Sequence, residues 1–330
     1  MPIENKKIFM TGGAGFIGTA LISRLIKDNE IVVYDTLQRN ALKETNLLNH
    51  PNLTLIQGSV LDGEKVKEAI NDSNVIIHLA AIAGIDTVIK SPTMTMKVNM
   101  IGTYNVLEAS MTLDNVERFI DFSTSEVYGS YAYKLGEGDS TTMGAVGEAR
   151  WTYAISKLAG EHLAHSYYKE FGLPVVSVRP FNVYGPRQVG EGAIHVFITR
   201  ALKSDDIQIH GDGDQIRSWC YVDDIVDGIL LCLDKKEAIG NVFNIGNPRG
   251  TITILSLAQK IVDICKSKSK IVFVPKTYVD VELRIPDIEK AKKILRYEPK
   301  VDLDEGLKKT IDWYKEKLKL KTKREKVHEL

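Results

Sequence analysis

The chain has 330 residues, of which 44% are hydrophobic and 26% charged, a composition typical of a globular protein. Its 43 basic residues equal its 43 acidic ones, so no overall charge draws the chain to nucleic acid or to an anionic membrane. The sequence shows no signal-peptide pattern and no apolar stretch near the ~20 residues that span a bilayer. Cys220, Cys232 and Cys265 lack metal-ligand spacing, which favours reduced thiols and a cytoplasmic location.

Short β-branched segments alternate with helical patterns from residue 6 to residue 178. The segments read KKIFMTG, EIVVYDT, LTLIQGSV, NVIIHLAA, RFIDFSTS and PVVSVRP, and a helix from about Phe16 to Lys27 follows the first. This alternation predicts a doubly wound parallel sheet, and such sheets bind ligands beyond the carboxyl ends of their strands. The residues that end these segments are Gly12, Asp35, Ala80, Ser123 and Arg179.

The turn after the first strand is glycine-rich and reads TGGAGFIG from residue 11 to residue 18. It contains Gly13-x-Gly15-x-x-Gly18, and a second, overlapping pattern consists of Gly12, Gly15 and Gly18. Such glycines permit a tight turn and a close approach of the backbone to a pyrophosphate, which the next helix faces with its N-terminal N–H groups. The pattern therefore predicts a dinucleotide site built from Gly12, Gly15, Phe16, Ile17 and Gly18.

Further cofactor contacts are predicted at the next strand ends. Asp35 is expected to accept hydrogen bonds from the adenosine ribose and to repel a 2′-phosphate, which favours NAD over NADP, although Arg39 lies four residues later. Ala80 ends the fourth segment. Asp62 either meets the adenine or caps the following helix, and the sequence leaves both open.

Tyr153 and Lys157 form a Tyr-x-x-x-Lys pair, which lies on one face of a predicted helix. A nearby positive charge is expected to lower the pKa of the phenol, so that Tyr153 can take a proton from a sugar hydroxyl while hydride leaves for the nicotinamide. Both residues are predicted to contact the cofactor as well. The alternative is an ordinary pair on a helix surface.

Thr124, Ser125 and Glu126 follow the fifth predicted strand, where a parallel sheet presents groups to its ligand. Thr124 is expected to hydrogen-bond at the oxidised carbon, and Glu126 offers a carboxylate for a second proton transfer. For Ser125 and Glu126, an ordinary cap between strand and loop is the alternative.

The second half of the chain offers donors that suit a diphosphate or a carboxylate, with surface ion pairs as the alternative. They are Arg179, Asn182, Arg187, Arg217 and Arg284. His195 and His210 lack supporting ligands at metal-binding spacing, so no metal site is predicted. No Gly-x-Ser-x-Gly elbow or phosphate-loop lysine motif is present, which disfavours a hydrolase or a nucleoside triphosphatase.

Taken in order, TGGAGFIG, STSEVYG, YAISK, RPFNVYGPR and GDGDQIRSWCYVDD resemble the extended short-chain dehydrogenase/reductase family, over the chain to about Tyr314. The resemblance implies a Rossmann-type NAD domain, a smaller nucleotide-sugar lobe and a homodimer. It also implies that Thr124, Tyr153 and Lys157 are catalytic and that Asn182 and Arg217 bind the nucleotide diphosphate.

The predicted organisation is therefore an α/β fold with a smaller C-terminal α/β substrate lobe. Residues 1–180 are expected to form the NAD-binding Rossmann domain, and residues 181–330 mainly the nucleotide-sugar lobe. Apolar segments within about 219–247, including NVFNIG, are expected to return to the first domain. The last stretch, KEKLKLKTKREKVHEL, is predicted to be a charged helical end or tail, with lysines on a solvated face.

Within this family, Thr124-Ser125-Glu126 resembles the decarboxylases and 4,6-dehydratases more than typical 4-epimerases. Arg150-Trp151 before Tyr153, and DVELRIPDI around Arg284, are similar to UDP-glucuronate decarboxylases, which implies a catalytic and substrate-binding Arg284. The resemblance implies oxidation at C4 followed by loss of carbon dioxide from the β-keto acid. RPFNVYGPR is equally typical of epimerases, so a UDP-glucose or UDP-glucuronate 4-epimerase and a 4,6-dehydratase remain alternatives.

Two readings lie outside this enzyme class. A silent NAD-binding sensor or scaffold can use the same fold, and an eroded Tyr153 or Lys157 would favour it, but both are present. A nucleic-acid-binding protein rests only on the basic tail and conflicts with the neutral net charge.

Overall fold

The computed structural model describes residues 3–276 and 278–328, and for residues 320–328 it describes the backbone alone. In chain order the strands are β1 (Lys7–Thr11), β2 (Glu30–Asp35), β3 (Leu53–Gln57), β4 (Val75–His78), β5 (Arg118–Phe122), β6 (Tyr131–Leu135), β7 (Val175–Pro180), β8 (Val183–Tyr184), β9 (Ile207–His210), β10 (Ile216–Ser218), β11 (Cys220–Tyr221), β12 (Val242–Ile245), β13 (Thr251–Thr253), β14 (Ile271–Val274) and β15 (Leu283–Pro286).

The α-helices are α1 (Phe16–Leu25), α2 (Gly63–Ala69), α3 (Ile85–Lys90), α4 (Pro92–Met96), α5 (Gly102–Ser110), α6 (Ala149–Phe171), α7 (Ala193–Lys203), α8 (Val222–Asp234), α9 (Ile254–Cys265) and α10 (Leu303–His328). Turns of π-helix cover Lys97–Ile101 and Ala291–Leu295. Turns of 3₁₀-helix cover Leu42–Glu44, Leu47–Asn49, Ser125–Tyr128, Lys236–Ala238 and Pro248–Gly250.

The largest sheet is parallel throughout, in the order β12-β7-β5-β4-β1-β2-β3. All six predicted strand segments lie in it, so the predicted doubly wound sheet is confirmed. A second sheet has the order β13-β10-β15-β6, and two pairs, β8 with β11 and β9 with β14, complete the pairing in the described part of the chain.

Residues beyond 180 also contribute to the large sheet. The predicted NVFNIG segment forms β12, which pairs with β7 through Phe243 and Val178. Helix α8 buries Ile225 and Ile229 in the same hydrophobic cluster as Val176 on β7. The division of the chain into two domains at residue 180 stays a prediction.

Both faces of the large sheet are covered, which explains its continuous apolar segments. On β1, Ile8 and Met10 belong to the hydrophobic cluster that includes α1 and α8. Phe9 points the other way, into the cluster with Val106 on α5 and Ala164 on α6. This is the alternation that a strand imposes on successive side chains.

Helix α1 ends two residues before the predicted Lys27. The amide of Asn29 donates hydrogen bonds to the carbonyls of Leu25 and Ile3, each at 2.9 Å. A side chain that satisfies a terminal carbonyl replaces the next helical turn and ends the helix.

A line of polar side chains crosses the central strands of the large sheet, on the face that α5 and α6 cover. Thr11, His78, Asp121 and Ser177 occupy paired positions on β1, β4, β5 and β7, and all are buried. The Thr11 hydroxyl bonds His78 Nδ1 at 2.7 Å, and the Ser177 hydroxyl donates to Asp121 at 3.0 Å. Burial lowers the pKa of His78 to about 3 and raises that of Asp121 to about 6.

Arg179, at the end of β7, is held by a buried ion pair rather than presented to a ligand as the sequence suggested. Its guanidinium donates from Nε and Nη2 to the two carboxylate oxygens of Glu161 on α6, at 3.0 and 2.5 Å. The remaining nitrogen donates to the Tyr128 hydroxyl at 2.7 Å. Because every side of the guanidinium is bonded, Arg179 ties α6 to the sheet.

Replacing Arg179 with methionine is expected to lower the free energy of unfolding by about 3–5 kcal/mol, since it leaves the Glu161 carboxylate buried without its partner. Urea denaturation checks this. The control is Lys309→Ala, which removes an exposed i,i+4 pair with Glu305 and is expected to cost less than ~1 kcal/mol. An equal loss of unfolding free energy in the two variants would contradict a stabilising buried ion pair between Arg179 and Glu161.

Candidate active site

The glycine loop after β1 leaves no room for side chains at two positions. Gly12 has φ +69°, and a Cβ there would lie 2.6 Å from the backbone nitrogen of Ala80 at the end of β4. A Cβ on Gly18 would lie 2.6 Å from the backbone of Gly13. The loop therefore packs against the neighbouring strand end and against the start of α1, as a phosphate-binding turn requires.

A cleft of about 640 Å³ opens over this loop, a volume that suits a dinucleotide. Its lining includes the predicted cofactor residues Gly12, Gly15, Phe16, Ile17, Gly18, Asp35 and Ala80. Residues 58–61, 79–83 and 188–189 complete much of the wall. The glycine loop, which leaves no room for a Cβ at Gly12 or Gly18, and the cleft above it fit a bound NAD.

Asp35 stands at the end of β2, where a ribose is expected. Its carboxylate accepts hydrogen bonds from the backbone N–H groups of Ala14 at 3.0 Å and Leu37 at 2.7 Å. Burial raises the pKa of Asp35, against these two hydrogen bonds. The carboxylate thus fixes the glycine loop on one side and faces the cleft on the other.

Arg39, which weakened the case for NAD, is engaged elsewhere. Its Nη2 donates to the Thr87 hydroxyl at 3.0 Å and lies 3.4 Å from the Glu191 carboxylate. Glu191 also accepts from the backbone N–H groups of Asp86 and Thr87 at the start of α3. These bonds hold the guanidinium against α3 and Glu191, at the wall of the same cleft that Asp35 lines.

Asp62 takes the helix-cap alternative. Its side chain accepts a hydrogen bond from the backbone N–H of Lys65 at 3.2 Å in the first turn of α2. At this strand end the wall of the cleft comes from residues 58–61. A contact between Asp62 and adenine remains a prediction that no observed bond supports.

Asn99 is a site-shaping residue that the sequence analysis missed. It lies in the π-helical turn Lys97–Ile101, and its amide bonds both the N–H and the carbonyl of Ile82, at 2.8 and 3.1 Å. It also donates to the Ser156 hydroxyl at 2.9 Å, between Tyr153 and Lys157 on α6. One buried amide thus joins the wall of the cleft to the catalytic helix, and a lone asparagine in a helical pattern gave no signal of this.

Tyr153 and Lys157 lie on α6, and Tyr153 faces Thr124 and Glu126. Burial is the main cause that raises the pKa of Tyr153, the Glu126 charge adds to it, and the Thr124 hydroxyl and Arg284 act in the opposite direction. The expected lowering by Lys157 is wrong for this state of the protein. Lys157 is buried near Asp121 and Glu161, whose charges oppose the lowering of its pKa by burial.

Glu126 is held between two arginines. Its Oε1 lies 2.7 Å from Arg150 Nη1 and 3.3 Å from Arg284 Nη1. Burial opposes ionisation, but the two guanidiniums prevail and hold the pKa of Glu126 below its ordinary value. Ser125 is buried beside it at the start of the 3₁₀ turn, which Thr124 caps by accepting from the Glu126 N–H, so a role for Ser125 beyond this cap stays a prediction.

The ion pairs continue from Arg150 into the second sheet. Arg150 Nη2 contacts Asp280 Oδ1 at 2.7 Å, and its Nε donates to the Val279 carbonyl at 3.1 Å. Arg217 on β10 reaches the same Asp280 oxygen at 3.2 Å. Arg284 pairs in register with Arg217, and burial lowers the pKa of Arg284 to about 10. Arg150 and Asp280 were outside the predicted site.

The other two predicted substrate residues, Asn182 and Arg187, lie in different places. Asn182 lies beside Arg217, because its amide donates to the Ser218 carbonyl at 3.0 Å. Arg187 lies over the Trp313 ring, 5.8 Å from its centre, and its Nε is buried without a hydrogen-bond partner. The structure therefore brings Asn182 to the group around Arg217 and Arg284, whereas Arg187 packs on α10.

Comparison with known proteins gives this arrangement a family. Residues 8–246 match the NAD dependent epimerase/dehydratase family. The chain belongs to that family. A UDP-N-acetyl-alpha-D-glucosaminuronate decarboxylase of Bacillus cytotoxicus is 37% identical over 94% of this chain and 98% of its own length.

Two further relatives show the range of the family. UDP-glucuronic acid decarboxylase 6 of Arabidopsis thaliana is 35% identical over 92% of this chain and 87% of its own length. The solved structure of a UDP-glucuronic acid 4-epimerase from Bacillus cereus, in complex with UDP-glucuronic acid and NAD, is 32% identical with a TM-score of 0.86. It covers 94% of this chain and 99% of its own.

As a member of the NAD dependent epimerase/dehydratase family, the protein is an enzyme that uses NAD. When bound, NAD supplies a hydride acceptor. The glycine loop, Asp35 and Ala80 would hold its dinucleotide. Tyr153 and Thr124 are joined by a side-chain hydrogen bond.

The two histidines considered as metal ligands, His195 and His210, have aromatic partners. His195 bonds the Tyr314 hydroxyl at 2.7 Å and His210 packs against Tyr278, as structural histidines do. Among the described residues, no group of three or more His, Cys, Asp or Glu side chains is arranged to hold a metal ion. In the same residues, no helix has the length and apolar character needed to cross a membrane.

Gly18→Ala is expected to weaken NAD binding at least about tenfold, which is ~1.4 kcal/mol, because the new methyl group meets the backbone of Gly13. Calorimetric titration with NAD measures this. Gly138→Ala is the matched control, since its Cβ would meet no atom within 4 Å. Unchanged NAD affinity in Gly18→Ala would place the dinucleotide elsewhere.

Proposed function

We propose that this enzyme is a decarboxylase of a UDP-hexuronate, with UDP-glucuronate as the best candidate substrate. The observation that carries the proposal is the set of buried charges beside Tyr153. Arg150, Arg217 and Arg284 face Glu126 and Asp280, which leaves one positive charge uncompensated. Buried charges need partners, so the group is suited to an anionic substrate.

Arg284 is the side chain best placed to meet that anion. Only 3% of it is exposed, and its Nε is buried without a hydrogen-bond partner. An orphaned buried N–H is costly, and a bound carboxylate or phosphate oxygen would satisfy it. Arg217 and Asn182, on the neighbouring strand and loop, would share the diphosphate.

The first step would be oxidation at C4. Tyr153 is expected to receive the proton of the C4 hydroxyl with help from the Thr124 hydroxyl, and Lys157 supplies positive charge on the same helix face. The resulting ketone lies β to the carboxylate. Loss of carbon dioxide then becomes easy, because the ketone accepts the electron pair of the broken bond.

The alternatives ask for different groups. Elimination of water needs a base for the C5 proton and an acid for the leaving hydroxyl, yet Ser125 beside Glu126 is not acidic. The 32% identical structure supports a UDP-glucuronate 4-epimerase. Epimerisation at C4 leaves the substrate carboxylate unchanged, so it needs no side chain that acts on that carboxylate. A silent sensor would not need Tyr153 and Thr124 in bonding range.

The decarboxylase proposal is tested by incubating the protein with NAD and UDP-glucuronate, and in parallel with UDP-N-acetylglucosaminuronate. We expect release of carbon dioxide and a product lighter by that mass when the C4 hydride and proton return to the sugar, or lighter by two further hydrogens when they do not. Glu126→Gln is expected to lower the rate by about 10²–10⁴-fold, as loss of a proton-transfer group does. The control is Glu282→Gln, which removes an exposed carboxylate from the edge of the same segment.

Unchanged mass with an inverted sugar would mean a 4-epimerase, and loss of water would mean a dehydratase. A wild-type rate in Glu126→Gln would remove Glu126 from the chemistry.

We further propose that the enzyme is a homodimer that pairs α5 and α6 with their copies. Ile101 and Tyr104 are 47% and 46% exposed and line an apolar groove with Met100, Ala159 and Leu163. Exposed apolar patches of this kind mark interfaces, and two helices from each copy can pair about a two-fold axis.

Tyr104→Glu is expected to convert a dimer to a monomer, because it places a charge in an apolar interface. Light scattering after gel filtration measures the mass. Phe273→Glu, at a side chain 56% exposed outside the groove, is the control and should stay dimeric. A monomeric wild type would contradict the proposal.

A reducing, cytoplasmic setting is proposed with this function. Cys220, Cys232 and Cys265 are free thiols. Burial raises the pKa of Cys232 to about 12 and of Cys265 to about 11, so both stay protonated and unreactive at neutral pH.

A further inference from the structure

The ion pairs beside Tyr153 form one continuous chain of alternating charge. Arg217 contacts Asp280, Asp280 contacts Arg150, Arg150 contacts Glu126, and Glu126 contacts Arg284. The chain joins β10 and β15 of the second sheet to α6 and to the turn after β5. Both ends are arginines, Arg217 as a predicted diphosphate ligand and Arg284 as a predicted substrate ligand, and Glu126 is a carboxylate whose charge acts on Tyr153.

The charges that face Glu126 are known from each element packed against it. Arg150 and Tyr153 come from α6, Arg284 from β15 and Arg217 from β10. The guanidiniums of Arg150 and Arg284 contact Glu126 and hold its pKa below the ordinary value, and Arg217 lies one ion pair further along the chain, on Asp280. A diphosphate bound at Arg217 and Arg284 would cancel much of that positive field, because charges interact strongly in a partly buried site.

We propose that binding of the nucleotide diphosphate makes Glu126 take up a proton, through the chain of ion pairs that runs from Arg217 to Arg284. The inference rests on the proposed function, since it assumes that a nucleotide sugar binds at these arginines. Arg150 and Asp280 are positioning residues in it, because they touch Glu126 and Arg217 rather than the reacting atoms. Their role is to set the pH at which Glu126 becomes protonated.

The proton has a use in decarboxylation. When the bond between C5 and the carboxylate breaks, carbon dioxide leaves and the electron pair passes through C5 to the C4 oxygen as an enolate. The proton of Glu126 then forms a new C5–H bond, and Glu126 becomes a carboxylate again. The decarboxylation step replaces a C–C bond with a C–H bond and consumes one proton, which matches the uptake of one proton on substrate binding.

Asp280 and Arg150 should act in opposite directions. Without the Asp280 charge the group becomes more positive, so Glu126 needs a lower pH to take up its proton. Without Arg150, Glu126 loses its 2.7 Å partner and takes up the proton at a higher pH. A merely structural role for these residues would lower stability without producing two shifts of opposite sign.

The experiment is calorimetric titration of the NAD-loaded protein with UDP-glucose, whose diphosphate does not titrate in the range used. Repeating it from about pH 4 to 7 in two buffers of different protonation enthalpy gives the protons taken up per nucleotide bound. We expect uptake that approaches about one proton in wild type and is lost in Glu126→Gln. The pH of maximal uptake should fall in Asp280→Asn and rise in Arg150→Met.

Lys292→Gln is the matched control, because its exposed pair with Glu289 lies shortly after β15 but outside the chain of ion pairs. It should leave the uptake unchanged. Binding without proton uptake, or uptake that survives Glu126→Gln, would overturn the inference and leave the proposed function standing. No binding of UDP-glucose, UDP-glucuronate or UDP-N-acetylglucosaminuronate to wild type would overturn the proposed function and the inference with it.

Discussion

The attachment of α6 to the large sheet is the constraint on which the site depends. Arg179 and Glu161 make that attachment with two buried hydrogen bonds between charged groups. The helix then carries Arg150, Tyr153 and Lys157 at fixed heights, because each residue of a helix adds about 1.5 Å along its axis. A shift of α6 would separate the phenol from Thr124 and the guanidinium from Glu126 in one movement.

Burial is the largest influence on the protonation of Tyr153 and Lys157. Desolvation raises the pKa of Tyr153 and lowers that of Lys157, so both favour their neutral forms more than in water. The sequence argument assumed that proximity of the lysine would dominate. In a buried site the loss of water is the larger effect.

Much of this could be predicted from local patterns. Period and β-branching located the strands of the large sheet, and the glycine spacing located the cleft that Gly12, Gly18 and Asp35 now line. Contacts between distant segments could not be predicted, because no local pattern encodes them. Asp280 meets Arg150 across 130 positions, and Asn99 meets Ser156 across 57. Arg179 ended a strand as expected, but only the fold showed that Glu161 on α6 already occupies it.

The second sheet supplies the site with positive charge that the large sheet does not. Carboxyl ends of parallel strands present backbone N–H groups and small side chains, which suit a dinucleotide but supply little positive charge. Arg217 and Arg284 come from paired positions on β10 and β15, so their guanidiniums enter the site together on a rigid element. Two like charges at that spacing repel each other, and Glu126 and Asp280 offset the repulsion. A site with one more guanidinium than carboxylates gains most from a ligand that brings negative charge of its own, and this is the physical basis for the proposed anionic sugar nucleotide.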